Sequence, residues 1–530
     1  MNHFTTLVIS LLALTSLTAC TNSQLQDISQ SRPAGQTKNI ILMIGDGMGP
    51  QQIGLLQDFA LYSTTPTYQN RHTALQVFAD EGQLALSSTR PFGNLVVDSA
   101  CSATQLATGV PALSEVIGLD IHGNPAPTIL EKAHALGKST GLITDTRVTH
   151  ATPAAFAAHQ THRSQENEIA LDILANNVDV LLGGGLAHWL PAGASAADPT
   201  LRALINEPSM QIKSKREDQR NLLLAAQHAG YSLAFNANQL STLESGKVLG
   251  LFASSTMLDG IAYSNCKAAS NCVQPSLAQM TKKALDLLSN NDKGFFLMIE
   301  GGQIDWAGHN NDAGDLLHQM LKFDEAVQAV YDWVRDRDDT LVVITADHET
   351  GGFGFSYNRK DVPDSSDWTH KPDFNFVSPN TLDKLYAQKK DFYNIWYAAG
   401  GDFKDREPSA EQLQTAVNDN TAYTISLADA EQILEHETNQ YKVYGHPYLG
   451  ADKFPKVDDF EAFYVYGEEV HLNLIGRALA KHQNTVWSTG THTHTPVAVI
   501  AWGPHEAQQR FHGLLNHVQV GTQLIQVLEK

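Results

Sequence analysis

Asp46, Glu300, Asp305, His309, Asp347 and His348 are the residues whose types and surroundings point most directly to chemistry. Each ends or follows a short apolar run. NIILMIGDGMG presents Asp46 in a glycine-rich turn, FFLMIEGGQIDWAGH presents Glu300, Asp305 and His309, and TLVVITADHETGG presents Asp347 and His348. Near the C-terminus, THTHTPVAVI sets His492 and His494 just ahead of another such run. Asp305 and His309 are one helical turn apart, a spacing that lets both side chains meet one ion. Taken singly, such residues are turn formers, helix caps or surface polar groups. Brought together, four carboxylates would repel one another unless cations lay between them. Mixed carboxylate and imidazole ligands suit Zn²⁺, and oxygen ligands alone suit Mg²⁺.

A nucleophile candidate lies in LVVDSACSATQLATG. A strand-like run stops at Asp98, and Ser99 opens a helix of small residues that ends at Gly109, ahead of Pro111. A serine oxygen at a helix N-terminus feels the partial positive charge there, which favours an ionised oxygen and a bound phosphate. The alternative is a plain capping serine.

The elements that must position these groups are legible from the apolar runs at 39–44, 140–143, 178–182, 295–299, 341–344 and 497–500. Continuous runs of this length suit strands buried on both faces. Helical stretches at 128–136, 154–159, 277–288 and 324–334 alternate with them. The pattern predicts an α/β fold with a mostly parallel central sheet flanked by helices on both faces. In such folds ligands gather at the carboxyl ends of the strands. Residues 38–348 and 491–530 form this core. The interval 349–490 is polar, aromatic-dotted and weakly patterned, and reads as a large crown-like insertion domain above the sheet, continuation of the core being the alternative. Ser426-x-x-Asp429 ahead of Ile433 and Leu434 marks a helix start within it.

The chain has 530 residues, 57 acidic against 36 basic, and a formal net charge of −21. That balance excludes a nucleic-acid binder. An anionic substrate would need a local reversal of the field. With 38 glycines and 20 prolines the chain is neither collagen-like nor mostly disordered. The apolar run at 7–17 is too short to span a bilayer. It leads into Leu17-Thr18-Ala19-Cys20, which is similar to a bacterial lipobox, although no Lys or Arg precedes the run. Residues 1–19 thus read as an export signal of lipoprotein type with Cys20 as the lipidation candidate, an ordinary cleaved signal peptide being the alternative. Residues 20–37 read as a polar tether. Export implies an oxidising compartment, where Cys266 and Cys272 could close a small disulfide loop or remain two free thiols. Cys101 is left over as a buried apolar filler.

In this order, IGDGMG, VVDSACSAT, EGGQIDWAGH and TADHETGG resemble the metal and nucleophile segments of the alkaline phosphatase family, over about residues 38–354 and 489–525. The resemblance implies hydrolysis of phosphate monoesters through a phosphoserine at Ser99, with two zinc ions and one magnesium. Asp305, His309 and His492 would hold one zinc, His494 being the fallback for His492, which stands five residues before Val497. Asp46, Asp347 and His348 would hold the other. Asp46 would also reach the magnesium, held with Thr152 and Glu300, a site that zinc could fill instead. Arg163, in HATPAAFAAHQTHR, would grip phosphate oxygens. Two positions vary within the family. Where some members carry Asp before Ala-Thr-Pro this chain has His150, which would reach the magnesium through water if at all. Where some carry Lys or His after the zinc Asp it has Trp306, which leaves phosphate with fewer cations. The resemblance also implies a homodimer and a periplasmic or lipid-anchored location. A sulfatase would need a Cys or Ser followed by x-Pro-x-Arg, which Ser99-Ala100-Cys101-Ser102-Ala103 lacks. A phosphodiesterase would replace Arg163 by an apolar pocket. A non-catalytic surface lipoprotein stabilised by metal would have no use for Ser99 and Arg163.

Overall fold

The continuous apolar runs become the strands of one sheet. In the computed structural model, which describes residues 36–68, 70–360, 362, 373–404, 406–457 and 466–530, this sheet has ten strands. They are β1 Asn39–Gly45, β2 Gln83–Ser88, β3 Ser139–Arg147, β4 Val180–Gly184, β5 Tyr231–Ala234, β6 Lys247–Leu251, β7 Phe295–Gly301, β8 Thr340–Thr345, β9 Val497–Trp502 and β10 Gly513–Asn516. Their order is β10-β2-β9-β8-β1-β7-β3-β4-β6-β5. Every pairing is parallel except those of β9, which runs antiparallel to both β8 and β2. The export signal, Cys20 and all but the end of the tether lie outside the described residues. No helix among the described residues is long and apolar enough to cross a membrane.

β1 illustrates the packing. All seven of its residues are buried. Ile40, Leu42 and Ile44 enter the apolar layer on one face of the sheet, and Ile41 and Met43 the layer on the other. Burying each such side chain stabilises the fold by roughly 1.5–3 kcal/mol, so both faces are covered. Phe323 and Val327, from helix Ala313–Val334, belong to the same layer as Ile41. Ile129 and Phe156, from helices Ile129–Ala135 and Ala151–Ala157, belong to the same layer as Ile40.

The structure departs from the sequence reading in particular places. The run before Asp98 is not a strand: Leu95 is 72% exposed and Val96 48% exposed, and only Val97 turns inward. β2, β5 and β10 gave no continuous apolar signal, and β6, a buried apolar run at 248–251, was passed over. β2 and β10 lie at one edge, where Leu84, Leu86 and Leu514 face outward. Helix 154–159 instead begins at Ala151 and stops at Ala157, because Ala158 turns into extended backbone. Helix 324–334 extends back to Ala313, through residues buried enough to mask the helical period.

The interval 349–490 carries helices Asn380–Tyr386, Phe392–Ala398, Ala410–Asn420, Leu427–Ile433 and Gly467–Gln483. Ser426 caps the fourth of these in a reciprocal pair with Asp429. Short antiparallel pairs join Gly354–Phe355 to Thr485–Val486 and His436–Thr438 to Lys453–Pro455. Leu382, Leu385, Phe392, Ile395 and Trp396 belong to the same apolar layer as Phe323 and Val327, so the interval is packed continuously onto one face of the core. Cys266 and Cys272 are joined in a disulfide, and Cys101 is a buried free thiol.

Candidate metal centre

Strand order brings the sequence-distant groups together. β8, β1, β7 and β3 are consecutive neighbours, and the register sets Ile44 beside both Glu300 and Thr345, and Glu300 beside Thr144. Asp46 and Asp347 follow the ends of β1 and β8, and Glu300 is the penultimate residue of β7. β9 runs the opposite way, so the segment leading into it arrives at the same edge and delivers His492. Residues His492–Thr493 pair with Glu349–Thr350 just after β8.

Three groups of potential ligands result, each with donor atoms within 4.8 Å of one another: Asp305/His309/His492, Asp46/Asp347/His348 and Asp46/His150/Glu300. Asp46 is shared by the last two. His494 is exposed and outside all of them.

In the first group, the Nε2 atoms of His309 and His492 lie 3.1 Å apart and each is 3.4 Å from Asp305 Oδ1. His309 Nδ1 donates to the Gly490 carbonyl at 2.8 Å, and His492 Nδ1 to the Val97 carbonyl at 2.7 Å. Each ring thus spends its Nδ1–H on backbone and turns an Nε2 lone pair toward the carboxylate. Such outer partners are those that orient metal-bound imidazoles. Without a cation a proton must fill the gap: against the burial that opposes charge, Asp305 lifts His309 to about 10. Asp305 in turn, although burial acts to raise it, is held well below the carboxylate range by His309 and then His492.

In the second group, His348 Nε2 lies 3.4 Å from Asp46 Oδ1, 3.2 Å from Asp347 Oδ2 and 3.2 Å from Ser99 Oγ. Thr350 donates its hydroxyl to Asp305 and accepts from His348 Nδ1 at 3.2 Å, which leaves the His348 Nε2 lone pair facing the acids. Burial, then His492, pushes His348 well below the imidazole range. Both Asp46 oxygens and Asp347 Oδ2 are buried without hydrogen-bond partners. Burial, then the charges of Asp347, Asp305 and Glu300, drives Asp46 well above the carboxylate range, and burial, then Asp305, raises Asp347 to about 6.

In the third group, Glu300 Oε2 accepts from the hydroxyls of Thr144 and Thr146, while its Oε1, Thr152 Oγ1 and His150 Nδ1 are buried without partners. Burial is the main cause that lifts Glu300 to about 8. Buried polar atoms are rarely orphaned. Here the orphaned oxygens of Asp46, Thr152, Glu300 and Asp347 converge beyond the strand ends, and divalent cations would satisfy them. The first group, with two imidazoles and one carboxylate, matches the chemistry of zinc, and the second and third each offer two carboxylates and one imidazole to a divalent cation.

Ser99 is the first residue of helix Ser99–Thr108, whose N-cap is Asp98, accepting from Ala100 N at 2.9 Å and Cys101 N at 3.2 Å. The helix closes on Gly109 at φ +67°, a left-handed position natural to glycine. Arg163 Nη2 donates to His150 Nε2 at 3.2 Å, and Arg163 Nη1 lies 3.9 Å from Asp98. Trp306 meets His150 edge to face, with ring centroids 6.0 Å apart. Burial, then Arg147 and Arg163, keeps His150 well below the imidazole range.

Sequence reasoning missed Asp98 and Thr350 as positioning groups, and Tyr466 and Glu469. An acid directly before a small-residue helix was the available signal for Asp98. Tyr466 stands 5.5 Å from the His309 ring and Glu469 3.4 Å from its Nδ1. No local pattern marked these two, because their helix reaches the site only through the tertiary fold.

This architecture, a parallel sheet with carboxylates and imidazoles caging one serine at its carboxyl edge, is that of a metal-dependent hydrolase. The family model for alkaline phosphatase matches residues 37–530. Alkaline phosphatase 4 of Bacillus subtilis (strain 168) is 28% identical over 509 residues, covering 94% of this chain and 91% of that protein. Alkaline phosphatase 3 of the same organism is 30% identical over 504 residues, 93% of this chain and 89% of that protein. The crystal structure of a cold-active alkaline phosphatase from a psychrophilic Shewanella sp. superposes with a TM-score of 0.65 at 28% identity, covering 93% of this chain and all of that one. The chain belongs to the alkaline phosphatase family. It is a phosphatase, a hydrolase of phosphate monoesters.

Proposed function

We propose that this enzyme hydrolyses phosphate monoesters through a covalent phosphoserine at Ser99, with zinc held by Asp305, His309 and His492, zinc held by Asp46, Asp347 and His348, and magnesium held by Asp46, Glu300 and Thr152, with His150 beside it. The observation that carries the reading is the Ser99 hydroxyl 3.2 Å from His348 Nε2, next to the partnerless carboxylate of Asp46. When bound, the cations supply Lewis-acid stabilisation to the serine oxygen, the leaving oxygen and the attacking water.

The chain's own residues do the rest. Ser99 Oγ attacks phosphorus from the first residue of its helix, whose backbone N–H groups at Ala100 and Cys101 are held by Asp98. Arg163, still partly exposed, offers parallel N–H donors to the nonbridging oxygens, and His150 and Asp98 steady it from either side. Release of the alcohol leaves phosphoserine, and water then cleaves the Ser99–phosphate ester to regenerate the hydroxyl. Cations held by these residues would reverse the field locally in a protein of net charge −21, and Arg163 adds its own positive charge for an entering anion. Export under the residues 1–19 signal, with or without a lipid on Cys20, and a homodimer clasped through 349–490 complete the proposal.

The test compares turnover of nitrophenyl phosphate and bis-nitrophenyl phosphate. A strong preference for the monoester is expected, and a preference for the diester would overturn the reading.

A further inference from the structure

A fourth convergence of ligands lies away from the serine, within the 349–490 interval. Glu407, His436 and His471 come from a loop, a strand and a helix, and their donor atoms lie within 4.8 Å of one another. Glu407 Oε1 is 3.1 Å from His436 Nε2 and 3.8 Å from His471 Nε2. His436 Nδ1 donates to the Leu434 carbonyl at 3.1 Å, which turns its Nε2 lone pair toward the carboxylate. His471 is only 6% exposed, and its ring packs on Trp396 with centroids 4.7 Å apart. Its Nε2 is buried, points into the same spot and has no hydrogen-bond partner.

A surface His–Glu pair alone would account for His436 and Glu407. It does not account for a buried imidazole aimed at that carboxylate with nothing to bond. We propose that Glu407, His436 and His471 form a fourth metal site, taking a late first-row divalent cation of the Zn²⁺ type. Two imidazoles and one carboxylate are a recurrent zinc triad, and the nitrogen ligands discriminate against Mg²⁺ and Ca²⁺. Glu407 and His471 line a groove of about 430 Å³ together with Trp396, Tyr448 and the cations Lys404, Arg406 and Lys453, so water can reach the site. The site would tie strand His436–Thr438 and helix Gly467–Gln483 to the loop before helix Ala410–Asn420. Metal bound only by the folded state stabilises it by mass action. Because Tyr466 and Glu469 reach His309 from that same segment, the tie also braces one wall of the serine centre.

The experiment counts zinc per chain in the full-length enzyme after equilibration with Zn²⁺ and desalting, for the natural sequence, Glu407→Gln and His436→Gln. Both substituted side chains reach solvent, so both variants should fold. Each should hold about one zinc fewer per chain, with nitrophenyl phosphate turnover within about twofold of the natural enzyme. Excess Mg²⁺ should not fill the vacated site. In the same samples, added Zn²⁺ should raise the thermal midpoint of the natural enzyme more than that of either variant. Equal zinc content in all three proteins would overturn the proposal. Loss of turnover together with a full zinc count would overturn it as well, because the residues would then serve the serine centre without holding metal. Neither outcome bears on the phosphoserine reading.

Discussion

At the edge of the sheet, Asp46, Glu300 and Asp347 are held by strands whose every residue is buried, whereas in the 349–490 interval Glu407 and His436 hang from short segments that reach solvent. The first arrangement forces charge repulsion into a dry interior and leaves only cations to relieve it. The second exposes its carboxylate to water, which can relieve part of the same strain. Rigid burial therefore suits the chemistry of a strongly activated nucleophile, and partial exposure suits a structural tie. His318 marks the seam between the two regions. Helix Ala313–Val334 carries it, its Nε2 donates to the Tyr386 carbonyl at 3.0 Å, and its Nδ1 accepts from Ser264 Oγ at 2.8 Å.

The contrast can be broken most decisively at Ser99. Ser99→Ala should lower turnover by several orders of magnitude and abolish covalent labelling by phosphate, while zinc content persists. Unchanged turnover would refute the assigned nucleophile. Chelation should likewise take the enzyme to background, with recovery on adding Zn²⁺ and Mg²⁺ together; activity that survives complete metal removal would remove the basis of the contrast. Next, Arg163→Ala should cost roughly 10²- to 10³-fold in kcat/KM, as loss of a transition-state donor does.

Acid sharpens the seam. Burial holds His318 down at about 4, below the ordinary imidazole value. As pH falls below about 6.5 the unfolded chain takes the proton first, so stability is lost from there down toward pH 4, by up to about 3 kcal/mol for this group. His318→Gln should flatten the fall in urea midpoint between pH 7 and pH 5, and an unchanged slope would count against it. The smallest effect concerns product. Trp306→Lys should tighten phosphate inhibition a few-fold by adding a cation near the phosphate. Because Trp306 rests on His150, the change combined with His150→Asp should differ from the sum of the two single changes. A strictly additive pair would show that the contact carries no coupling.

Much of the site was legible because its residues sit in contiguous segments. Asp305 and His309 share one helical turn, Asp347 and His348 are adjacent, and each segment follows a run whose apolar character declares a buried strand. The edge strands β2 and β10 were not legible, since half-exposed residues alternate too weakly to separate them from loop. The choice between His492 and His494 was a matter of reach, and only the antiparallel entry of β9 brought the first into the Asp305 group and left the second in solvent. Glu407, His436 and His471 share no local pattern at all, being 29 and 35 residues apart in turn.

The sequence by itself determined the α/β class, the buried strands, the serine at a helix start and most of the acids and imidazoles around it, because hydrophobic period and motif spacing are local properties of the chain. Tertiary structure alone decided which strand ends are neighbours, that Asp46 is shared between two groups, that Tyr466 and Glu469 close on His309, and that a further pair of imidazoles meets a carboxylate outside the serine's own ligand groups. Those facts depend on pairings across hundreds of residues, and long-range pairing is set by how whole faces pack and by strand order, which no window of sequence contains.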